Sequence, residues 1–516
     1  MSVRTAESWP PGLPASLEYP EVPVGAIVAG SARRYGDRVA FARGEESLTY
    51  AELGRRAARF AHGLRARGVS TGDRVALVMP NCLEYPVAYY GIVLAGATFV
   101  PVNPLLPTAA AAAQVADSGA VLTVTAAEVP GICADQPSWP PAVDVDLGGL
   151  AHLAYTGGTT GESKGVRLPH RNVVINSLQY SCWGTGSLPA LDADGGLVLD
   201  QVGSDVEWPT RLGTAVAINL TPWFHAMGTI AGLNALVLAG YTTVLHDRLD
   251  PVGYLADAER LRITGMGGAP ALFAALLSCP DIYTRDLSSV QAISSGAAPM
   301  PLEMIDRLRA LAPDAVVSEG YGLTEVTMGA TLGPVHRSGV RKAGTVGVPV
   351  FDTEVRIDGA SGPDERGEVC IRGPQVMLGY HNRPDATADV LVDGWLHTGD
   401  IGVLDPDGYL SIVDRMKDML LYKGYNVYPR ELEELLAAQS GVLAAAVVGK
   451  PDTSVGELPV AFVVPSSPSV SPADLMSAVN EQVVAYKRLR DVYLVDSIPV
   501  SAAGKVLKRE LRGRLS

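Results

Sequence analysis

The chain has 516 residues, with 55 acidic against 41 basic side chains, a formal charge of −14 and 47% apolar residues. That length exceeds a single core and predicts two to four domains, and the apolar share predicts packed interiors rather than disorder. The acidic balance excludes a general nucleic-acid binder, which needs a basic face, but not an anionic small ligand held by a few local cations.

The opening MSVRTAESWPPGLP lacks the apolar core and cleavage site of a secretory leader, and no apolar run reaches the roughly 18 residues of a membrane span. A cytoplasmic protein without a span is expected. Cys82, Cys133, Cys182, Cys279 and Cys370 are scattered, with no CxxC pair, which fits reduced thiols and gives no zinc pattern. The proline-rich first 30 residues read as an irregular arm. In LTYAELGRRAARFAHGLRARG, Leu53, Ala57, Phe60, Ala61 and Leu64 recur at three- and four-residue spacing, the apolar stripe of a helix, with Arg55, Arg56, Arg59 and Arg65 on its solvated side. DRVALVMP, ATFVPVNP, AVLTVTA and TTVLHD read as buried parallel strands alternating with helices.

Residues 184–210 are rich in Gly and Asp and read as an excursion, a small hairpin whose DADGG is a turn rather than a calcium loop. Near residue 350 the pattern changes to short strands with turns. An amphipathic helix follows in YPRELEELLAAQSGV, then strands in LAAAVVGK, PVAFVVPS and DVYLVDSIPV around a helix from about Pro472 to Val484. The expected fold class is α/β. A large N-terminal domain, 1–413, carries mostly parallel sheets flanked by helices, and a small mobile α+β domain occupies 414–516.

The stretch YTGGTTGESKG (Tyr155–Gly165) is unusually rich in hydroxyls and glycines. It is not a Walker loop, because Lys164 is preceded by Ser163 and followed by Gly165. Glycines nevertheless let backbone N–H groups approach oxyanions, the hydroxyls add donors and Lys164 adds a positive charge.

YTGGTTGESKGVRLPHRN resembles the phosphate loop of the adenylate-forming superfamily, which contains acyl-CoA synthetases, nonribosomal adenylation domains and luciferases. PWFHAMG, SSGAAPM, EGYGLTE, GEVCIRGPQVMLGY, GWLHTGD, DRMKDMLLYKGYNVYPRELE and AAGKVLKREL are similar to its other motifs, in the same order, from about residue 25 to the end. The resemblance implies ATP-dependent activation of a carboxylate through an acyl-adenylate, with ATP, Mg²⁺ and CoA as cofactor and cosubstrates. It implies that Thr156, Gly157, Gly158, Thr159, Thr160, Gly161, Ser163 and Lys164 wrap phosphates. Tyr321 and Gly322, with the slot Gly296, Ala297 and Ala298, would take adenine. Asp400 and Arg415 would take ribose, Thr324 the α-phosphate, and Glu325 the magnesium.

By the same resemblance, His225 closes over the acid and Lys505 bridges the carboxylate and α-phosphate. Lys417 lies at a hinge, and Lys423, Gly424 and Asn426 serve the thioester step. Met227, Gly267, Gly320 and Met328 line an acyl pocket with room for a medium or large apolar acid, fatty or aromatic. Gly157 replaces a frequent Ser and Ser163 a frequent Pro. An acyl-CoA ligase is the first expectation. A carrier protein as acceptor, or nitrite activation for diazotisation of an aryl amine, are the alternatives. Oligomeric state is open.

Overall fold

The computed structural model describes residues 8–156, 163–501 and 506–515. The chain adopts the expected α/β architecture. Strands Leu122–Val124, Arg74–Val78, Thr98–Val102 and Leu150–Tyr155 lie side by side in parallel, and Gly165–Pro169 closes the edge antiparallel. Every residue of Thr98–Val102 is buried, as a strand covered on both faces requires. A second sheet of nine strands runs Val348–Pro349, Thr331–Leu332, Val316–Tyr321, Ala292–Ser295, Gly265–Gly268, Val216–Asn219, Thr242–Leu245, Val39–Arg43 and Glu46–Thr49. Its central strands are parallel.

Helix Tyr50–Ala66 packs on strands Val39–Arg43 and Glu46–Thr49 and on helix Glu84–Leu94. Leu53, Ala57, Phe60, Ala61 and Leu64 are fully buried, and Thr49 and Glu52 form a capping box at its start. The amino-terminal arm is shorter than the proline content implied. Helix Gly25–Tyr35 begins inside the first 30 residues and has no side-chain cap. Ile27 and Val28 are buried, and a Cβ at Gly30 would stand 2.1 Å from the Leu197 carbonyl, so tertiary contact selects this helix. The partner is the hairpin Ser187–Leu191/Leu197–Gln201, which realises the expected excursion. Asp192 in its turn pairs with Arg33 at 2.7 Å.

Antiparallel strands Glu354–Asp358, Gly367–Arg372, Trp395–Leu404 and Leu410–Arg415 form a third sheet, with Leu391–Val392 at its edge. Five residues later a last sheet opens with Leu420–Tyr422 and Tyr425–Val427, followed by Val442–Asp452, Gly456–Pro465 and Asp491–Leu494. Leu420, Val427, Leu432, Leu436, Val447, Ala461 and Val463 give this unit its own core. Helix Pro472–Asn480 ends before the expected Val484. No helix among the described residues is long and apolar enough to cross a membrane.

Candidate active site

One cleft of about 1650 Å³ lies where the nine-stranded sheet, the antiparallel sheet and the C-terminal unit meet. Its wall brings together Thr156, Lys164, His225, Met227, Gly267, Gly296, Ala297, Ala298, Gly320, Tyr321, Gly322, Thr324, Glu325, Met328, Asp400, Arg415 and Lys417. Gly157, Gly158, Thr159, Thr160, Gly161 and Lys505 lie outside the described residues. Ser501 and Val506, the nearest described neighbours of Lys505, line the cleft. Ser163 is exposed and donates its hydroxyl to the Thr156 carbonyl. Lys423, Gly424 and Asn426 are not brought to the cleft wall. They sit in the exposed hairpin Leu420–Tyr422/Tyr425–Val427.

The floor is built at the carboxyl ends of parallel strands, the usual ligand side of such sheets. Strand Ala292–Ser295 delivers Gly296, Ala297 and Ala298, and strand Val316–Tyr321 delivers Gly320 and Tyr321. Ala297 holds φ +68°, a left-handed conformation unusual for a residue with a Cβ. Gly322 is required for a different reason than ligand approach: a Cβ there would stand 1.8 Å from the Met328 carbonyl oxygen. Its glycine serves the close packing of two backbone segments.

Across the cleft, Tyr321 Oη donates to Asp400 Oδ2 at 2.6 Å, and Arg415 Nε lies 3.4 Å from Asp400 Oδ1. Asp400 and Arg415 are register partners on adjacent antiparallel strands, which places the guanidinium beside the carboxylate. Burial raises the Asp400 carboxyl above the ordinary carboxylate range, while Arg415 and the Tyr321 hydroxyl oppose that shift. Lys417 follows on the same wall, and burial lowers its ammonium from the usual lysine range.

Thr324 and Glu325 stand on a short 3₁₀ turn, Thr324–Val326, which leads into Thr327 at φ +69°. The buried Thr327 hydroxyl donates to the Gln375 carbonyl at 2.7 Å, holding this strained turn. Glu325 Oε1 accepts from the Tyr380 hydroxyl at 2.8 Å, and Lys164 Nζ lies 4.9 Å from the Tyr380 ring centre. Burial raises the Glu325 carboxyl. A buried carboxylate of this kind is the hard oxygen donor that a divalent cation bound with phosphate would use. Tyr380 went unrecognised as a site residue, although it ends the quoted motif GEVCIRGPQVMLGY. It pairs as an isolated bridge with Val166, so the segment after the glycine-rich loop carries it to Glu325.

His225 precedes the helical turn Ala226–Thr229, which continues as a π-helical turn over Ile230–Asn234. Such widened turns cluster at functional sites, and Trp223 Nε1 satisfies the Gly232 carbonyl at 3.1 Å. Burial lowers the basicity of His225, and its buried Nε2 has no hydrogen-bond partner among the described residues.

Beyond His225 the sheet face is paved with small side chains. Ala217, Gly265 and Ala292 are aligned across three strands, and Gly267 and Ser294 across two of them. A Cβ at Gly267 would meet nothing within 4 Å, and one at Gly265 only Tyr241 at 3.9 Å. Tyr241 and Leu236 also line the cavity, as do Gly184 and Thr210 at the two ends of the 184–210 excursion. Met227 Sδ stands 3.4 Å from where a Cβ on Gly296 would lie, so these two stretches of the cleft wall adjoin.

The AMP-binding enzyme model matches residues 28–381, and the AMP-binding enzyme C-terminal domain model matches residues 431–505. The chain belongs to the AMP-binding enzyme family. This AMP-binding enzyme is 37% identical over 505 residues to a feruloyl-CoA synthase of an Amycolatopsis species, covering 94% of this chain and 97% of that one. It is 34% identical over 544 residues to a long-chain-fatty-acid–CoA ligase of Salmonella typhimurium, covering 93% and 92%. Its fold is similar to ATP-bound MatB from Rhodopseudomonas palustris, with TM-score 0.82, 27% identity and coverage of 96% and 99%. It is likewise similar to the o-succinylbenzoate CoA synthetase of Bacillus subtilis in complex with its acyl-adenylate, with TM-score 0.78, 27% identity and coverage of 95% and 98%. The chain is an ATP-dependent, AMP-forming ligase.

Proposed function

We propose that this enzyme activates an extended apolar carboxylic acid, fatty or aryl, as an acyl-adenylate and transfers the acyl group to CoA. The observation that carries the reading is one continuous cleft. It joins a cationic phosphate end at Lys164, a carboxylate at Asp400, and the buried His225 at the mouth of a channel paved with glycine and alanine.

The chemical difficulty is that one anion must attack another, so preorganised donors and cations have to offset the charge that develops at the α-phosphorus. Lys164 and Thr156 hold the outer phosphates with the hydroxyl-rich loop. Thr324 donates to the α-phosphate. Tyr321 stacks on adenine beside Gly296–Ala298, and Asp400, backed by Arg415, accepts from the ribose hydroxyls. Glu325 holds Mg²⁺, which neutralises phosphate charge when bound. The His225 imidazole, with a buried Nε2 left over, donates to the acid's carboxylate and orients it. Lys505, whose nearest described neighbours Ser501 and Val506 line the cleft, pairs with the carboxylate and α-phosphate together.

The unit boundary falls at about Asp414, and Lys417 marks the pivot. Lys423, Gly424 and Asn426 reach the thiol path only after the C-terminal unit turns, which accords with their position away from the cleft. CoA is preferred as acceptor over a carrier protein, and over nitrite activation, because the relatives named above are CoA ligases. Mass-spectrometric detection of thioester with Mg·ATP, CoA and a panel of fatty and hydroxycinnamic acids tests the proposal. CoA-dependent thioester with one acid class is expected, and adenylate without thioester across the whole panel would overturn it.

A further inference from the structure

Asp400 does not stand on a regular strand. Between the pairs Glu368↔Ile401 and Cys370↔His397, strand Gly367–Arg372 advances two residues while Trp395–Leu404 advances four. Thr398, Gly399 and Asp400 therefore bulge from the ladder, a device that re-aims side chains beside active sites. Gly399 takes φ +71°.

Side chains replace the lost ladder bonds. Glu368 Oε1 accepts from the Gly399 N–H at 2.9 Å, and Glu368 Oε2 lies 2.8 Å from His397 Nδ1. The Thr398 hydroxyl donates to the Val369 carbonyl at 2.7 Å and accepts from the Asp400 N–H at 3.1 Å. On the far side, the Met416 N–H donates to the Gly399 carbonyl at 2.9 Å. Glu368 and His397 are mostly buried, with side-chain exposures of 18% and 20%.

Glu368, Cys370 and His397 place one ligand atom each within 4.8 Å of the others, a spacing that one metal ion could span. Their donors are already engaged. The same His397 nitrogen serves Glu368 and faces Cys370 Sγ at 3.5 Å, and Glu368 Oε1 holds Gly399. Burial pushes the Cys370 thiol up to about 11, away from the thiolate a metal needs. The cluster is a hydrogen-bonded strut.

We propose that Glu368, oriented by His397, is a positioning residue that holds the Gly399–Asp400 bulge so that the Asp400 carboxylate meets the ribose of ATP. The inference rests on the ribose role given to Asp400 above. Glu368 does not itself line the cleft. Without it, the Gly399 N–H loses a charged acceptor, the glycine relaxes, and Asp400 leaves its place.

The test is kcat and KM for ATP, 2′-deoxy-ATP and 3′-deoxy-ATP in the full-length enzyme and in Glu368→Ala, Glu368→Gln and Asp400→Asn. The wild type should favour ATP over both deoxy forms, and Asp400→Asn should lose that preference. Glu368→Ala should raise the KM for ATP about tenfold and flatten the preference to within about twofold, with the KM for the acid changed by less than about twofold. Glu368→Gln keeps a carbonyl for Gly399 and should recover most of the preference. An active Glu368→Ala enzyme that retains the preference, while Asp400→Asn loses it, overturns the positioning role alone. Retention in Asp400→Asn, or no preference in the wild type, overturns the ribose reading and the inference with it. Should Glu368→Ala fail to fold, Thr398→Val, of similar shape without the hydroxyl, is held to the same expectation.

Discussion

Tyr321 Oη donates to Asp400 Oδ2 at 2.6 Å, tying the end of a parallel strand to the antiparallel sheet beside it. A hydrogen bond to a buried carboxylate is worth more than a neutral one. Tyr321→Phe keeps the ring but drops the donor, so the Asp400 carboxyl, already raised by burial, rises further. The KM for ATP should increase about tenfold with a smaller effect on the KM for the acid. Steady-state kinetics on both substrates check this, and an unchanged KM for ATP would contradict it.

Glu319 stands on strand Val316–Tyr321, where its Oε2 accepts from the Met300 N–H at 2.9 Å. Burial raises its carboxyl from 4.5 to about 7, with Arg430 opposing and Glu434 adding to the shift. The folded state therefore holds this proton more tightly than the unfolded chain. Its contribution to stability is present below about pH 4.5 and is lost as pH rises through about 7. Thermal unfolding of the ligand-free protein, followed from acid to neutral pH, should show a fall across that window that Glu319→Gln flattens. Identical pH profiles for the two proteins would contradict the assignment.

Gly267 faces open space in the channel. Gly267→Leu fills that space and should lower kcat/KM for long or aryl acids about a hundredfold, while a short acid such as propionate is spared. An equal loss for all acids would place the channel elsewhere.

The two half-reactions should separate. Lys505→Ala should abolish pyrophosphate release and leave thermal stability unchanged. Gly424 holds φ +82°, so a bulky residue there would be strained whatever the free space around it. Gly424→Asn is the cleaner probe, because asparagine tolerates that region better. It should slow thioester formation and spare adenylation. Loss of both half-reactions would contradict the proposed thiol path.

Local patterns carried much of this structure. The stripe of helix Tyr50–Ala66 and the apolar runs of the parallel strands are repeated short-range features, and they appear where their periodicity places them. Helix Gly25–Tyr35 was missed because its uncapped, glycine-containing start offers little local preference, and it is selected by packing on Leu197. Motif order gathered residues from across the chain onto one cleft wall, from Thr156 to Lys417. Tyr380, Glu368 and Tyr241 were not legible. Tyr380 and Glu368 act through partners distant in sequence, and Tyr241 reaches the cavity from just before strand Thr242–Leu245, which no spacing rule reports. Gly322 lines the cleft as the motif implies, and the packing need that the Met328 carbonyl adds there is a contact no local pattern reports.

The central claim is that the acid's own oxygen attacks the α-phosphorus. Supplying an acid labelled in its carboxylate with oxygen-18, together with Mg·ATP and CoA, and weighing the AMP produced tests it most directly. One labelled oxygen in each AMP, with thioester formed alongside, is the result this account predicts. Unlabelled AMP accompanying the thioester would contradict an acyl-adenylate route.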